Sequence, residues 1–388
     1  MKSFAQLSLD MLILLSFPAL ALIVAYFIYV LISQKHINTV PTSYPILSSL
    51  FAFLSKRSRL SEWLTELLEH APFNTITFHP PGINVITADP GNVKHLLKTR
   101  FENYHKGNYF RLLLNDLLGT GIFNTDGAPP GNCRGEWPVT SSAPTLCATS
   151  LRRACIARSP IAFCHCSEKL LPLQGENRLD MQDVFKRFAF DNICQVAFAM
   201  DPACLDISLP LSEFAEAFDV ATNLSLKRFT DPLPYLWMLK RFFNVGLRQA
   251  IHFIHSFAQD IIEARKKEVS PSQGSWRQDL LSRFLLLHES AVAAAGKASY
   301  DVFLRDIVIS FILAGRNTPS SALTWFFWLL SSHPRVENNI YVEITRIIAA
   351  RQEISSFFSY EELKQMKYLQ AALCESMRLY PPVPSDTK

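Results

Sequence analysis

FLRDIVISFILAGRNTPSSALTWFFWLL, Phe303–Leu330, is the stretch whose reading decides the fold. Through its middle the apolar residues fall on every side of a helical wheel, which puts the helix inside a large domain rather than on its surface. It is not a membrane span. Arg305, Asp306 and Arg316 interrupt it, and nine uncharged residues separate the last two, against the roughly 20 that a crossing needs. Ala314-Gly315 removes side-chain bulk at one point, so that a flat ligand or a second helix can approach the backbone. Thr318, one turn beyond Ala314, either offers its hydroxyl to something in that notch or bonds to a carbonyl one turn back. Pro319 removes a backbone N–H and crowds the carbonyl of Gly315.

The neighbouring sequence is also helical. Residues 334–350 and 360–380 read as two helices, the second ending in CESMRLYPPVP. Glu375 and Arg378 stand three apart there, on one face, and can pair; alone, such a pair is most simply a solvated surface bridge. Tyr380 precedes Pro381-Pro382, which ends the helix. Upstream, 180–199 opens on Asp180, and 245–268 and 276–288 follow. Residues 58–70 also have a helical period. Thr75–Phe78 and Ile83–Thr87 flank a Pro-Pro-Gly turn and read as a hairpin, and Asp89-Pro90 starts another helix as cap and first turn. In 101–127, apolar and aromatic residues alternate with glycine, and the segment lines a pocket or forms a loop with a hydrophobic underside. The class is mainly α with a small β part.

Bulk properties bound the rest. The chain has 388 residues, 49% hydrophobic with 29 Phe, enough for a sizeable core. Its net charge of +4 is dispersed, and no basic stripe with interleaved aromatics points to nucleic acid. Met11–Gln34 carries no charge and is long enough to span a bilayer; it runs a dozen residues past a cleavage-like Ala19-Leu20-Ala21, too long for a signal peptide. Lys35, Lys56, Arg57 and Arg59 follow it, which leaves the remainder in the cytosol. The expected layout is an anchor over 1–34, a hinge over 35–57 stiffened by Pro41 and Pro45, and a domain over 58–388. Cytosolic thiols stay reduced, so the eight cysteines are not a disulfide framework.

The long helix with its Ala-Gly-x-x-Thr, the Glu-x-x-Arg helix before Pro-Pro, and the stretches GIFNTDG and RFAFDNICQVAFAMDPACLD together resemble the microsomal cytochrome P450 family, within it the plant fatty-acid ω-hydroxylase group. The resemblance implies an incomplete P450-like helical fold behind a single transmembrane helix in the endoplasmic reticulum. It implies a haem cofactor, a fatty acid or similar apolar substrate, and electrons from NADPH through a membrane-bound NADPH-cytochrome reductase. It implies that Ala314 and Gly315 face the haem and that Thr318 hydrogen-bonds iron-bound oxygen. Glu375 and Arg378 then brace the core, and Asn103, Tyr104 and Phe110 border the substrate channel.

The chain departs from that pattern in four places. Asn317 stands where the family has an acid, and an amide cannot relay a proton as a carboxylate does. Pro319 replaces a second hydroxyl. The family's haem-ligating cysteine lies well beyond the position of Lys388, so no axial ligand is expected from this chain, and a non-catalytic remnant is the rival reading. Finally, residues 128–166 have no helical or strand period, though Cys133, Cys147, Cys155, Cys164 and Cys166 fall there. Their spacing matches no common zinc site. Read one base out of register, Cys133 must become Leu and Pro138 must become Ala, and the code permits a helix with Trp and Arg four apart. The segment therefore reads as out of frame.

Overall fold

The structure, a computed structural model, describes residues 24–25, 55–78, 84–124, 180–205, 213–230, 237–238, 245–268, 279–286, 297–351 and 358–386. The expected anchor apart from Val24 and Ala25, most of the hinge, the Pro-Pro-Gly turn and the 128–166 segment lie outside these residues. Among the described residues no helix is long and apolar enough to cross a membrane. The chain divides into two compact units, Met1–Tyr104 with Lys227–Phe243, and His105–Leu226 with Asn244–Lys388.

The first unit is built on helix α1 (Leu60–His70). Leu60, Trp63, Leu64, Leu67 and Leu68 repeat at helical spacing and form one apolar stripe. It covers a two-stranded antiparallel sheet, β1 (Thr75–Phe78) and β2 (Asn84–Thr87), in which Ile76 lies opposite Ile86. The expected hairpin is therefore present. Asp89 accepts the Asn92 N–H at 2.8 Å and caps α2 (Pro90–Lys94), with Pro90 at the first helical position. The chain then widens into a π turn over His95–Thr99.

The second unit holds α3 (Gly107–Leu118), α4 (Met181–Phe198), α5 (Glu213–Lys227), α6 (Val245–Glu268), α7 (Leu280–Leu286), α8 (Lys297–Ser331), α9 (Pro334–Ala349), α10 (Tyr360–Gln365) and α11 (Lys367–Leu379). At its centre lies α8, whose Leu304, Ile307, Val308 and Ile312 are sealed among Phe190, Phe218, Ile254 and Ile262. Phe185 stacks on Phe327 while Ile193 meets Gly315, so α4 runs antiparallel along α8. Asp180 caps α4 by accepting the N–H of Gln182 at 2.9 Å. The buried Asp191 accepts the N–H groups of Cys204 and Leu205 at 3.0 and 2.9 Å, pinning the loop after that helix.

Two elements differ from the sequence reading. Residues 360–380 form two helices, broken at Met366 (φ −74, ψ 65). The cause is Glu343 of α9, whose carboxylate accepts the N–H groups of Tyr368 and Leu369 at 2.9 and 3.0 Å and starts α11 afresh. Of the expected 276–288 helix, the described residues include α7, which Asp279 caps through the N–H and hydroxyl of Ser282. The undecided 101–127 segment contains α3, which buries Leu113, Leu117 and Leu118.

α6 brings a histidine into this core. Burial, with Arg305 nearby, pushes the His255 imidazole down to about 4. Its Nε2 is buried and has no hydrogen-bond partner among the described residues. In an unfolded chain histidine titrates near 6.5, so the unfolded state takes up the proton first. The neutral ring's contribution is whole above pH ~6.5 and is lost as pH falls toward about 4, by about 2 kcal/mol once partial exposure is discounted. Urea unfolding at about pH 7 and about pH 4.5 should show that slope, and His255→Gln should flatten it.

Candidate active site

Ala314, Thr318 and Trp325 lie on one side of α8, because steps of four and seven keep to one face. Ala314 is exposed, Thr318 is half-buried and Trp325 is 37% exposed. Trp325 stacks on Tyr380 with ring centres 4.1 Å apart, and Trp328 meets the same ring edge-on at 5.8 Å. The residue that closes α11 is thereby fixed to the end of this face. The hydroxyls of Ser310, Ser320 and Thr324 all return to backbone carbonyls of α8. That of Thr318 does not: it makes no hydrogen bond among the described residues. Pro319 sits inside the helix without ending it.

Gly315 lies on another side. A β-carbon there would stand 2.4 Å from Cγ1 and 2.7 Å from Cβ of Ile193. The notch at Gly315 is therefore filled by α4. Close helix packing is what the structure shows at Gly315, while Ala314 is exposed.

Arg316, which the sequence reading passed over as a mere break in the apolar run, is 1% exposed. Its guanidinium forks onto Asp219 of α5 at 2.5 and 3.2 Å and reaches the side-chain oxygen of Asn317 at 3.2 Å. Lys186 of α4 adds a contact to Asp219 at 3.4 Å. Asp219 is desolvated, which raises its pKa, but the Arg316 bond and charge outweigh this and hold the carboxyl below its ordinary range. An arginine amid apolar residues signals in sequence that some acid must meet it, but not which acid.

Glu375 and Arg378 pair through two bonds of 2.8 and 2.7 Å on an exposed face of α11. The Arg378 bond draws the Glu375 carboxyl below its usual range. Of the expected channel residues, Asn103 and Tyr104 are exposed and belong to the first unit, where Tyr104 meets His95 edge-on at 5.9 Å. Phe110 belongs to the second unit, half-buried on α3, with the Lys106 ammonium 5.0 Å from its ring centre. Cys374 is exposed on α11. Among the described residues no cluster of three or more His, Cys, Asp or Glu could hold a metal ion.

A cytochrome P450 family profile matches residues 40–388. The chain is 41% identical to cytochrome P450 94A1 of Vicia sativa over 367 residues, covering 91% of this chain and 66% of that protein. It is 42% identical to cytochrome P450 94B1 of Arabidopsis thaliana, covering 90% and 66%, and 42% identical to cytochrome P450 94C1 of the same plant, covering 85% and 64%. The chain belongs to the cytochrome P450 family. It spans just under two thirds of the length of these three relatives. P450s of this family are haem monooxygenases, and the residues present suit a flat porphyrin on one count. Ala314 presents only a methyl group on this exposed side, one turn before a threonine whose hydroxyl makes no hydrogen bond among the described residues.

Proposed function

We propose that this polypeptide is a membrane-anchored fatty-acid hydroxylase of the P450 family. The observation that carries the reading is the exposed Ala314 beside a Thr318 hydroxyl that makes no hydrogen bond among the described residues, in a chain of this family. Ala314 would form the wall against which haem packs. Haem iron, when bound, would supply the activation of O₂ and the insertion of one of its oxygen atoms into a C–H bond, the other leaving as water with two electrons and two protons. The Thr318 hydroxyl accepts and passes a proton at its Oγ1. Asn317, whose side-chain oxygen accepts from Arg316 at 3.2 Å, is an amide and cannot relay a proton there. Glu375 and Arg378 brace the helix behind the site. Asn103, Tyr104 and Phe110 border the channel for a fatty acyl substrate. Residues 1–34 anchor the chain in the endoplasmic reticulum membrane, with the bulk on the cytosolic side where NADPH-cytochrome reductase delivers electrons.

Haem titration of the purified chain, followed by its Soret absorbance, tests the reading. Saturable uptake that Ala314→Phe abolishes, with unchanged helix content, supports it; uptake indifferent to Ala314→Phe overturns it. Asn317 and Pro319 favour a second reading, a non-catalytic relative. A thiolate-type band in the reduced carbonyl-difference spectrum eliminates that second reading. The proposal includes the coding frame of 128–166: nucleotide sequence across codons 127–167 should show a one-base offset at each end, and peptides matching the segment as written would refute it.

A further inference from the structure

We infer that Arg316 is a positioning residue, a latch that seats α5 on α8 beside Thr318 and at the same time fixes the side-chain amide of Asn317. Arg316 leaves α8 two residues before Thr318, wholly buried, and crosses to Asp219 with both terminal nitrogens. The Phe218 ring, one residue earlier on α5, lies 5.8 Å from the guanidinium carbon. Lys186 of α4 reaches the same carboxylate, so three helices meet at one acid.

Two features separate this from ordinary core packing. A buried guanidinium is weak evidence of stability, because apolar residues of similar volume usually serve as well or better. This one is even a donor short, its Nε having no partner among the described residues. Its distinct effect is geometric, since one guanidinium contacts both Asp219 and Asn317. Second, the latch is sealed on one side only. Arg316 is 1% exposed in its side chain but Asp219 is 33% exposed, so water can reach the pair from α5. When α5 lifts, Asp219 leaves with it and Arg316 is free to reorient, which releases Asn317. The seat of α5 and the side chain next to Thr318 then change together. Only the bearing of this on chemistry rests on the proposed function; the latch itself does not.

Hydrogen exchange on the intact chain tests it. At neutral pH, Asp219→Asn and Arg316→Lys should each speed exchange in Glu213–Lys227 by roughly tenfold or more, while Pro334–Ala349 keeps its protection. The charged groups facing Asp219 are Arg316 from α8 and Lys186 from α4. A folded carboxyl held low keeps the latch closed above the ordinary carboxylate range and opens it as pH falls through the folded value. Exchange in Glu213–Lys227, corrected for its intrinsic pH dependence, should therefore step up in acid in the parent and show no step in Asp219→Asn. In Arg316→Lys, which keeps the charge but loses the fork, the Asn317 side-chain amide resonances should shift. Should either variant fail to fold, Lys186→Met gives the same direction with a smaller effect. Unchanged protection of Glu213–Lys227 in the folded variants, or an acid step that survives Asp219→Asn, overturns the latch. Neither result depends on whether haem is taken up.

Discussion

Replacing Asp306 by alanine should lower the unfolding free energy by about 3–5 kcal/mol, the usual loss when one partner of a buried, hydrogen-bonded charge pair is removed. Asp306 is 0% exposed. One carboxylate oxygen accepts the N–H of Thr120 at 2.8 Å and its hydroxyl at 3.2 Å; the other accepts Nε and a terminal nitrogen of Arg305 at 3.0 and 2.7 Å. The carboxylate thus ties the turn after α3 onto the long helix. The chain there runs so close that only glycine serves. Gly119 sits at φ 50, ψ −123, and a β-carbon on it would fall 2.1 Å from the carboxylate oxygen. Gly119→Ala carries two penalties, about 1–3 kcal/mol for a backbone region that L-residues avoid and the displacement of Asp306. In Asp306→Ala the second penalty vanishes. The double variant should therefore be less destabilised than the sum of the singles, with a coupling of about 1–2 kcal/mol. Urea unfolding of the four proteins measures this. Strict additivity would show that the glycine and the carboxylate do not share one site.

That contact shows where sequence reading stops. The caps at Asp89 and Asp180, the hairpin and the long apolar helix were legible because each depends on residues a few positions apart, where periodicity and capping chemistry act. Thr120 and Asp306 are 186 positions apart. Nothing near Gly119 announces an acid, and nothing near Asp306 announces a turn. The break at Met366 has the same origin, since its cause is Glu343 on another helix. At the candidate site the reach was similar. Ala314 and Thr318 stood out by type and spacing. The division of labour between Ala314 and Gly315 did not, because neighbours on a helix differ by about 100° and the sequence does not say which side α4 will take. Arg316 carried a readable signal, a charge in an apolar run, but its partner Asp219 lies 97 positions away.

Gly315 gives the sharpest test of that division. In an open helix, Gly→Ala gains up to about 1 kcal/mol from propensity. Here the new methyl would stand 2.4, 2.6 and 2.7 Å from Cγ1, Cδ1 and Cβ of Ile193. A rotamer change can move the first two atoms, but Cβ is fixed to the backbone of α4, so the helices themselves must separate. Overpacking of that kind costs about 1–3 kcal/mol and more for a branched residue. Gly315→Ala should therefore be destabilised by about 1–2 kcal/mol net, and Gly315→Val by about 4 kcal/mol. Ile193 is 2% exposed, and Ile193→Ala alone should cost about 3 kcal/mol by leaving a cavity. Together, Ile193→Ala and Gly315→Val place the new side chain in the space that the old one leaves. The pair should then recover at least about 2 kcal/mol relative to the sum of the single losses. Chemical denaturation reads all of these values. If Gly315→Val kept parental stability and lost only haem uptake, the glycine would belong to the ligand face with Ala314, and the assignment of Ile193 to its notch would fail.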